Sequence, residues 1–471
     1  MAPRLENCCE GFSRSTAIRR ALAGGRSPSQ REWDPRMPVP AGAGIDRRRL
    51  LLGAAGGLVS VYGAGRLGLT SRLFTDGVAE AATLQGPSSP ILVSVFLAGG
   101  IDALSLLAPT EDPLYRKLRP TLAVAPGAGI PFSEDPRLSW NPAAGSFAQL
   151  HDAGKVTVFP GIGYASPDMS HFTSRHYWEV GATETGLDTG WLGRYLDATG
   201  SPTNPLQGLS MDSEMNPTLA TAANPVAAID KPEDFSLWLD GVWGDVFNWT
   251  LDSAASLGGS QRRSRDTAIA QVAEAASEVG IVRRALAPFR DKNGNAAYTS
   301  PVAYPKSSTT DFPQRLAGLA AMIAAGLPLR CVALTSDTQF DTHSSQPETF
   351  GSGLSVIADG IAAFQADLEA RGIADRVLLH VWSEFGRRAQ QNGSNGTDHG
   401  AAGVSMLVGS RAGGKMIGEW PDLAHLDTNG NQRANVDFRG VYCSLIEQWF
   451  GHDAAALIPD ASRFARYALL S

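Results

Sequence analysis

The chain has 471 residues, of which 43% are hydrophobic and 18% are charged, so it can form a large core within one big domain or two. Its formal net charge is −7, and removing residues 1–81, which hold 12 of the 40 basic and 7 of the 47 acidic residues, leaves a net charge of −12. An acidic surface of this kind argues against nucleic acid as the partner.

The N-terminal segment reads as a targeting sequence. Residues 1–46 are rich in Arg, Pro, Gly and Ser, and Arg47-Arg48-Arg49 then precedes a mildly apolar run from Gly53 to Leu69. Paired arginines before a Gly- and Ala-rich apolar run are typical of a twin-arginine export signal, and Ala79-Glu80-Ala81 offers a cleavage site. A membrane anchor is the alternative, but glycines and Arg66 interrupt the run.

We therefore predict that residues 1–81 are an export signal and its lead, with Met37 as an alternative start to Met1. The twin-arginine translocation machinery would carry the folded chain to the periplasm or beyond, with no stable membrane span left after processing. Residues 82–471 would form the functional domain, with a loop-rich insertion at about 186–313 that covers the strand ends.

The first strand of the predicted domain is the apolar run Ile91–Leu97, which ends in Ala98-Gly99-Gly100-Ile101-Asp102. A continuous apolar run is typical of a parallel strand that is covered on both faces, and ligands collect at the carboxyl ends of such strands. Asp102 is therefore a candidate metal ligand. The alternative is a Gly-Gly turn with a capping aspartate.

A second strand, Val156–Pro160, leads through a Gly- and Pro-containing loop to Ser170-His171-Phe172. Ser170 is placed as the N-cap of a helix that runs to about Gly181. A hydroxyl there feels the positive end of the helix dipole, which favours its alkoxide and an incoming anion. Ser170 is thus either a nucleophile or an ordinary helix cap.

The rest of the domain alternates helices and strands. The sequence predicts helices over 266–289, 312–327, 354–371 and 438–450, and strands over 330–335, 377–382 and 404–408. This alternation predicts an α/β fold with a mainly parallel sheet flanked by helices. Cys331 and Cys443 are expected to be buried thiols rather than a disulfide pair, and His380 is expected to be a core histidine.

Polar clusters lie next to the late strands at three places. These are Phe340-Asp341-Thr342-His343, Ser383-Glu384-Phe385-Gly386-Arg387, and Gly396-Thr397-Asp398-His399-Gly400. Imidazole and carboxylate together suit zinc or manganese better than calcium. We predict a metal site here, the alternative being acids that cap helices and form ordinary hydrogen bonds.

Together with Gly99-Gly100-Ile101-Asp102, Ser170-His171-Phe172 and Thr189-Gly190-Trp191-Leu192-Gly193-Arg194, these clusters resemble the DUF1501 family of exported bacterial proteins. That family is similar to the alkaline phosphatase-like superfamily of phosphatases and sulfatases. The resemblance covers most of the chain after residue 81. It implies an alkaline phosphatase-like fold, but it does not supply a substrate.

The resemblance also implies roles for individual residues. Ser170 would be the nucleophile, Arg387 and His171 would bind the substrate, and one or two metal ions would be held by Asp102, Asp341, His343, Glu384, Asp398 and His399. Divalent cations can activate a hydroxyl and stabilise the attacking and leaving oxygens of a phosphoryl or sulfuryl group.

The sequence departs from the superfamily pattern at one point. Asp-His-Gly usually follows its strand directly, whereas Ser383-Glu384 follows the strand here and Asp398-His399-Gly400 comes after a loop. Either Glu384 or Asp398 is then the carboxylate ligand. The Cys-x-Pro-x-Arg sequence of sulfatases with a modified cysteine is absent.

The function expected from these features is an exported metal-dependent hydrolase of phosphate or sulfate esters, acting on a small molecule or a polymer. The alternative is a secreted, non-catalytic binding or structural module on the same fold. The tryptophans scattered through 186–260 motivate that alternative.

Overall fold

The middle strand of the fold, Ile91–Phe96, is fully buried and lies within a nine-stranded sheet. The computed structural model describes residues 60–62, 89–235 and 280–471. The strands in this part of the chain are β1 (Ser60–Tyr62), β2 (Ile91–Phe96), β3 (Leu107–Ala108), β4 (Ile130–Pro131), β5 (Ser139–Trp140), β6 (Val156–Gly163), β7 (Gly208–Ser210), β8 (Val226–Ala228), β9 (Cys331–Thr335), β10 (Val377–Trp382), β11 (Gly386–Gln391), β12 (Thr397–Gly400), β13 (Gly403–Val408) and β14 (Val436–Asp437).

The main sheet has the spatial order β1-β8-β7-β9-β2-β10-β13-β6-β14. Strands β1 and β13 pair antiparallel with their neighbours, and the other strands of this sheet run in one direction. Strands β11 and β12 form a separate hairpin, and β3, β4 and β5 form a small third sheet. The predicted mainly parallel sheet is therefore confirmed.

Helices cover both faces of the main sheet. The α-helices with both ends described are α1 (Ala103–Leu106), α2 (Pro113–Leu118), α3 (Gly145–Asp152), α4 (His171–Val180), α5 (Trp191–Thr199), α6 (Phe312–Ala324), α7 (Gln346–Ala370) and α8 (Phe438–Gln448). Side chains of a strand alternate between faces, so Val93 and Val95 join one core with α6 and α7, whereas Leu92 and Phe96 join the other with α4, α5 and α8. This two-sided burial explains the continuous apolar runs of the strands.

The helix that follows β6 begins and ends where the sequence predicts. Ser170 is the N-cap of α4, and Gly181 ends the helix at φ 67°, a conformation that glycine adopts without strain. Helix α7 begins earlier than the predicted residue 354, at Gln346, with a proline in its first turn. The apolar periodicity is weak in that first part of the helix, so the pattern alone missed it.

Part of the predicted insertion belongs to the sheet. Strands β7 and β8 are only three residues long and carry no extended apolar run, although both are buried in the middle of one half of the sheet. Residues 236–279, with three of the four tryptophans and most of the predicted helix 266–289, lie outside the described residues. The boundaries of the insertion stay a prediction.

The predicted export signal also lies outside the described residues, except for β1, which pairs with β8. Among the described helices, none has both the length and the apolar character that a bilayer span requires. Cys331 and Cys443 are buried free thiols, as predicted. His380 is a buried core residue whose Nε2 lies 3.1 Å from Ser405 Oγ, and burial lowers the pKa of its imidazole to about 3.

The topology brings the polar clusters together. Strands β9, β2 and β10 are neighbours and parallel, so the loops after Thr335, Phe96 and Trp382 leave the sheet at the same edge. Strand β6 runs in the same direction and leads to α4, and the β11–β12 hairpin follows β10 directly. The candidate site is built at this carboxyl edge.

Candidate metal centre

The Gly99-Gly100 turn after β2 is shaped to bind a carboxylate. Both glycines have positive φ values, 101° and 64°. Their backbone N–H groups donate to the two carboxylate oxygens of Glu384, each at 3.0 Å. A Cβ on Gly99 would lie 2.5 Å from the backbone nitrogen of Asp341, and one on Gly100 would lie 2.4 Å from the Phe385 ring. Both positions therefore require glycine, because the backbone has a positive φ and because a Cβ would clash with a neighbouring group.

Glu384 in turn orients His171. Its Oε1 lies 2.6 Å from His171 Nδ1, and both side chains are buried. A carboxylate only accepts hydrogen bonds, so Nδ1 carries the proton and Nε2 faces the other way, 3.4 Å from Asp341 Oδ1. Burial would raise the pKa of Glu384, but the hydrogen bond from His171, and the positive charge of that ring whenever it is protonated, hold this pKa below its usual value.

Two further histidines have the same arrangement. His399 Nδ1 donates to the carbonyl oxygen of Met169 at 2.8 Å, and its Nε2 lies 3.4 Å from Asp341 Oδ1. His343 Nδ1 lies 3.3 Å from Asp398 Oδ1, and its Nε2 lies 3.1 Å from Asp341 Oδ1. Each ring is thus held at Nδ1 and presents Nε2 to the same carboxylate oxygen.

The four convergent atoms need a positive charge between them. With the proton of each neutral ring on Nδ1, the Nε2 atoms of His171, His343 and His399 carry lone pairs, as does Asp341 Oδ1. The Nε2 atoms of His343 and His399 are only 2.9 Å apart. Such lone pairs repel unless a cation or a proton lies among them. The donor set therefore fits a divalent metal, and imidazole with carboxylate suits zinc.

The held Nδ1 atoms strengthen this interpretation. Histidines that bind metals almost always donate their other ring N–H to a carboxylate or a carbonyl, which fixes the tautomer and the ring orientation. Within the described residues, His171, Asp341 and His399 form the group of possible ligand atoms that all lie within 4.8 Å of one another. His343 adjoins this group through both Asp341 and His399.

The pKa values of Asp341, His171 and His399 are shifted by their mutual contacts and by burial. Without a metal, the Nε2 atoms can carry protons instead, and their hydrogen bonds then act on Asp341. Burial would raise the pKa of Asp341, but these hydrogen bonds from the three histidines and the charge of Arg387 hold it well below its usual range. Burial opposes protonation of His171, yet its hydrogen bonds to Asp341 and Glu384 raise its pKa overall. The pKa of His399 is lowered, mainly by burial. Asp341 is therefore an anion, and the ring of His399 favours the neutral form that a metal requires.

The site opens to solvent on one side. The side chain of His171 is 6% exposed, that of His399 is 22% exposed and that of His343 is 36% exposed. A cavity of about 360 Å³ lies on the His399 side, lined by Ser166, Pro167, Met169, Arg388, His399, Asp427, Asn429 and Asn431. Of the four residues, His399 lines this cavity, so a small molecule in the cavity would lie next to the ring of His399.

Arg387 is buried and does not line that cavity. Its guanidinium donates to the carbonyl oxygens of Gly99, Gly100 and Thr397, and to Asp341 Oδ1 at 2.6 Å. These contacts join the loop after β2, strand β12 and the Asp341 carboxylate. They do not support the predicted grip on a substrate oxygen, because the N–H donors are already used within the protein.

Asp102 lies in a separate buried ion pair. Its carboxylate accepts from Arg119 at 2.5 and 2.9 Å, from Ser105 Oγ at 2.7 Å and from Gln346 Nε2 at 2.6 Å. Burial would raise the pKa of Asp102, but the charge of Arg119 lowers it overall. The structure therefore does not bring Asp102 into the histidine group, and both of its oxygens are occupied by protein donors.

The remaining predicted site residues fall into two groups, those that face Asp341 and those that make other contacts. The carboxylates of Glu384 and Asp398 contact the Nδ1 atoms of His171 and His343, on the side of each ring away from Asp341. His171, predicted as a substrate contact, faces Asp341 with its Nε2. Ser170 is half-buried, precedes His171 and caps α4 by accepting from Thr173 N at 3.5 Å. The structure thus places His171, Asp341, His343 and His399 together.

Gln346 is the residue that sequence reasoning missed. Its Oε1 accepts from the hydroxyls of Thr342 and Thr397, both at 2.9 Å, and its Nε2 donates to Asp102. Thr342 lies between Asp341 and His343, and Thr397 lies two residues before His399. The amide therefore joins both loops that carry site residues. The only signal in the sequence is its place three residues after His343.

Comparison with known proteins gives one family and several structures. The sequence model of a family described as protein of unknown function, DUF1501, matches residues 166–435, which is more than half of the chain. No curated protein matches the chain in sequence.

Three solved structures show weak likeness. Ps i-CgsB in complex with k-i-k-neocarrahexaose has 10% identity and a TM-score of 0.35, with 80% of this chain and 74% of that chain covered. The PsFucS1 sulfatase from Pseudoalteromonas sp. has 12% identity and a TM-score of 0.31, with 84% and 77% covered. The phosphonate monoester hydrolase SpPMH from Silicibacter pomeroyi has 11% identity and a TM-score of 0.30, with 80% and 75% covered.

Proposed function

The chain belongs to the DUF1501 family, and from that premise we propose that it is an exported, metal-dependent hydrolase of phosphate or sulfate esters on an alkaline phosphatase-like fold. One observation carries the proposal. The Nε2 atoms of three histidines converge on Asp341 Oδ1 at 3.1 to 3.4 Å, and each ring is held at Nδ1 by a protein oxygen.

The proposed metal ligands are His171, Asp341, His343 and His399. This set differs from the sequence-based set because Glu384, Asp398 and Asp102 have other contacts. Zinc is the first candidate and manganese the second. When bound, the metal would supply positive charge that lowers the pKa of a nearby hydroxyl and stabilises a developing oxyanion.

Ser170 is the proposed nucleophile. Its position at the N-terminus of α4, directly before His171, supports this role. The serine oxygen would form a bond to phosphorus or sulfur while the bond to the leaving alcohol oxygen breaks. The hydroxyl proton would go to the alcohol, and water would then release phosphate or sulfate and regenerate the serine.

A non-catalytic module is the second candidate. The observation in its favour is that Ser170 already accepts a hydrogen bond from Thr173 N as a helix cap. That contact needs no chemistry. A secreted binding or structural protein could keep the same histidine group as a structural metal centre, with a partner at the cell envelope or an extracellular polymer.

Metal analysis is the first test. Protein purified without chelator should contain about one equivalent of zinc or manganese, because ligand sets of this kind bind tightly at neutral pH. Replacing His171 or His399 with Ala should remove most of it. The matched control is His425→Ala, since the His425 side chain is 81% exposed and lies outside the group. Less than a tenth of an equivalent in the wild-type protein would contradict the proposal.

The catalytic role is tested with a panel of phosphate monoesters, phosphate diesters and sulfate esters. Ser170→Ala should abolish turnover and keep the metal. Asp112→Ala is the matched control, because Asp112 caps α2 by accepting from Leu114 N at 2.8 Å and its loss removes only a cap. Full biological activity of Ser170→Ala would favour the binding module.

A further inference from the structure

Arg388 follows the buried Arg387 in the chain, yet it has the opposite environment. Successive residues of a strand point to opposite sides, and in β11 Arg387 is buried, Arg388 is exposed and Ala389 is buried. The Arg388 side chain lines the cavity of about 360 Å³ together with His399. Within the residues that the structure describes, Arg388 has no ion pair and its guanidinium makes no hydrogen bond. Up to five N–H donors therefore remain available to a ligand.

The backbone of Arg388 is fixed in place. Its carbonyl oxygen accepts from Arg119 Nη2 at 2.9 Å, and the carbonyl of Ala389 accepts from Arg119 Nε at 2.9 Å. Arg119 is fully buried and is itself held by Asp102. The Asp102–Arg119 pair therefore has a structural role outside the metal group, because it holds strand β11, which carries Arg388.

The other walls of the cavity are compatible with an anion. Asp427 is the carboxylate among them, and it is turned into its own loop. Its Oδ1 accepts from the backbone nitrogens of Asn429 and Asn431, and its Oδ2 accepts from Asn431 Nδ2. Asp427 remains an anion, but these donors occupy both of its oxygens within its own loop. Apart from Pro167 and Met169, the lining residues are polar.

From this geometry we infer that the cavity beside His399 binds the tetrahedral oxyanion of the ester, and that Arg388 is the residue that holds its oxygens. The inference rests on the proposed function, because it names the anion subsite of the same centre. The planar fork of a guanidinium matches two oxygens of phosphate or sulfate at once, whereas a lysine offers only a point charge.

The test measures binding of inorganic phosphate and of inorganic sulfate to the zinc-loaded full chain by calorimetry. Arg388→Leu should weaken binding by about 10- to 100-fold, the usual effect of losing hydrogen bonds to a charged group. Arg388→Lys should recover only part of the loss. Arg463→Leu is the matched control, since the Arg463 side chain is 75% exposed and does not line the cavity. Zinc content should stay unchanged in all three variants.

Three outcomes would overturn the inference: equal anion affinity in wild type and Arg388→Leu, full recovery by lysine, or an equal loss in Arg463→Leu. The proposed function fails separately. If the wild-type protein binds phosphate through Arg388 yet hydrolyses no ester, the subsite stands and the hydrolase does not. If esters are hydrolysed and Arg388→Leu keeps the wild-type KM and anion affinity, the hydrolase stands and this subsite does not.

Discussion

Gln346 provides the sharpest test of how the site is held together. The amide is buried and makes four hydrogen bonds of 2.6 to 3.0 Å, to Asp102, Ser105, Thr342 and Thr397. Gln346→Leu keeps much of the side-chain volume and removes all four. Asp102 retains Arg119 and Ser105 as donors, and Thr342 retains a weak contact with Phe340 O at 3.4 Å.

The expected loss of stability in Gln346→Leu depends on which buried polar groups lose their hydrogen-bond partner. Thr397 Oγ1 loses the acceptor that the structure gives it, and a buried group of this kind costs about 1–3 kcal/mol. With the other lost bonds, we expect the free energy of unfolding to fall by about 2–4 kcal/mol. The loops of Asp341, His343 and His399 also lose their common anchor. Changes behind metal ligands weaken metal binding by about 10- to 100-fold, and we expect that range for zinc.

Gln365→Leu is the control for this experiment. Gln365 lies on the same helix, is buried, and donates to Glu369 at 2.6 Å and to Ser410 at 2.8 Å, away from the metal group. It should lower the melting temperature and leave zinc affinity unchanged. Both quantities are measured by thermal unfolding and by competition with a chromophoric chelator. If the two variants bind zinc equally well, Gln346 is a structural residue only and the reasoning is refuted.

Two shorter predictions concern the Glu384 carboxylate and export. Glu384→Gln should weaken zinc binding by about 10- to 100-fold in the same chelator competition, because the ring of His171 loses its charged partner. The control is Glu447→Gln, since the half-buried Glu447 carboxylate instead pairs with Arg466 at 2.8 Å, and equal affinities in the two variants would contradict the role given to Glu384. The triple change of Arg47, Arg48 and Arg49 to Lys should trap folded precursor in the cytoplasm, measured by fractionation, since the twin-arginine receptor reads guanidinium geometry. Normal export of that triple variant would point to a general secretory route or an anchor.

The sequence predicted the fold well where apolar runs are long. Ile91–Phe96 and Val377–Trp382 are buried on both faces, so their composition alone indicates covered parallel strands. Strands β7 and β8 have three residues each, and no pattern can separate so short a strand from a loop. They are strands because their neighbours in the sheet pair with them.

The sequence predicted which loops meet better than it predicted what each side chain contacts. Loops at one sheet edge had to meet, so the order of the strands predicted that Asp341, His343 and His399 lie close together, as they do. Which carboxylate faces a metal depends on local donors that sequence does not show. Arg119, 17 positions after Asp102, forms an ion pair with its carboxylate. The backbone N–H groups of the Gly99-Gly100 turn donate to the Glu384 carboxylate. Strand alternation buries Arg387 and exposes Arg388 to the cavity, which is why our proposal moves the substrate contact from Arg387 to Arg388.

The final prediction concerns the pH dependence of stability with and without metal. In the metal-free protein the pKa of His171 is raised and that of His399 is lowered. The raised pKa of His171 adds stability that is full below its unfolded value of about 6.5 and is lost as pH rises through the folded value. The lowered pKa of His399 removes stability as pH falls below about 6.5, because the unfolded state then binds the proton better.

Metal binding has the opposite pH dependence to that of His171. A bound cation needs neutral histidines, so protons compete with it and its stabilising effect shrinks as pH falls. We therefore expect the melting temperature of the zinc-loaded protein to exceed that of the chelated protein most at about pH 8, with the gap narrowing towards about pH 5. His425→Ala should show the same gap as the wild type, whereas His171→Ala should show almost none. A gap that stays constant, or widens, as pH falls would mean that these histidines do not bind the metal.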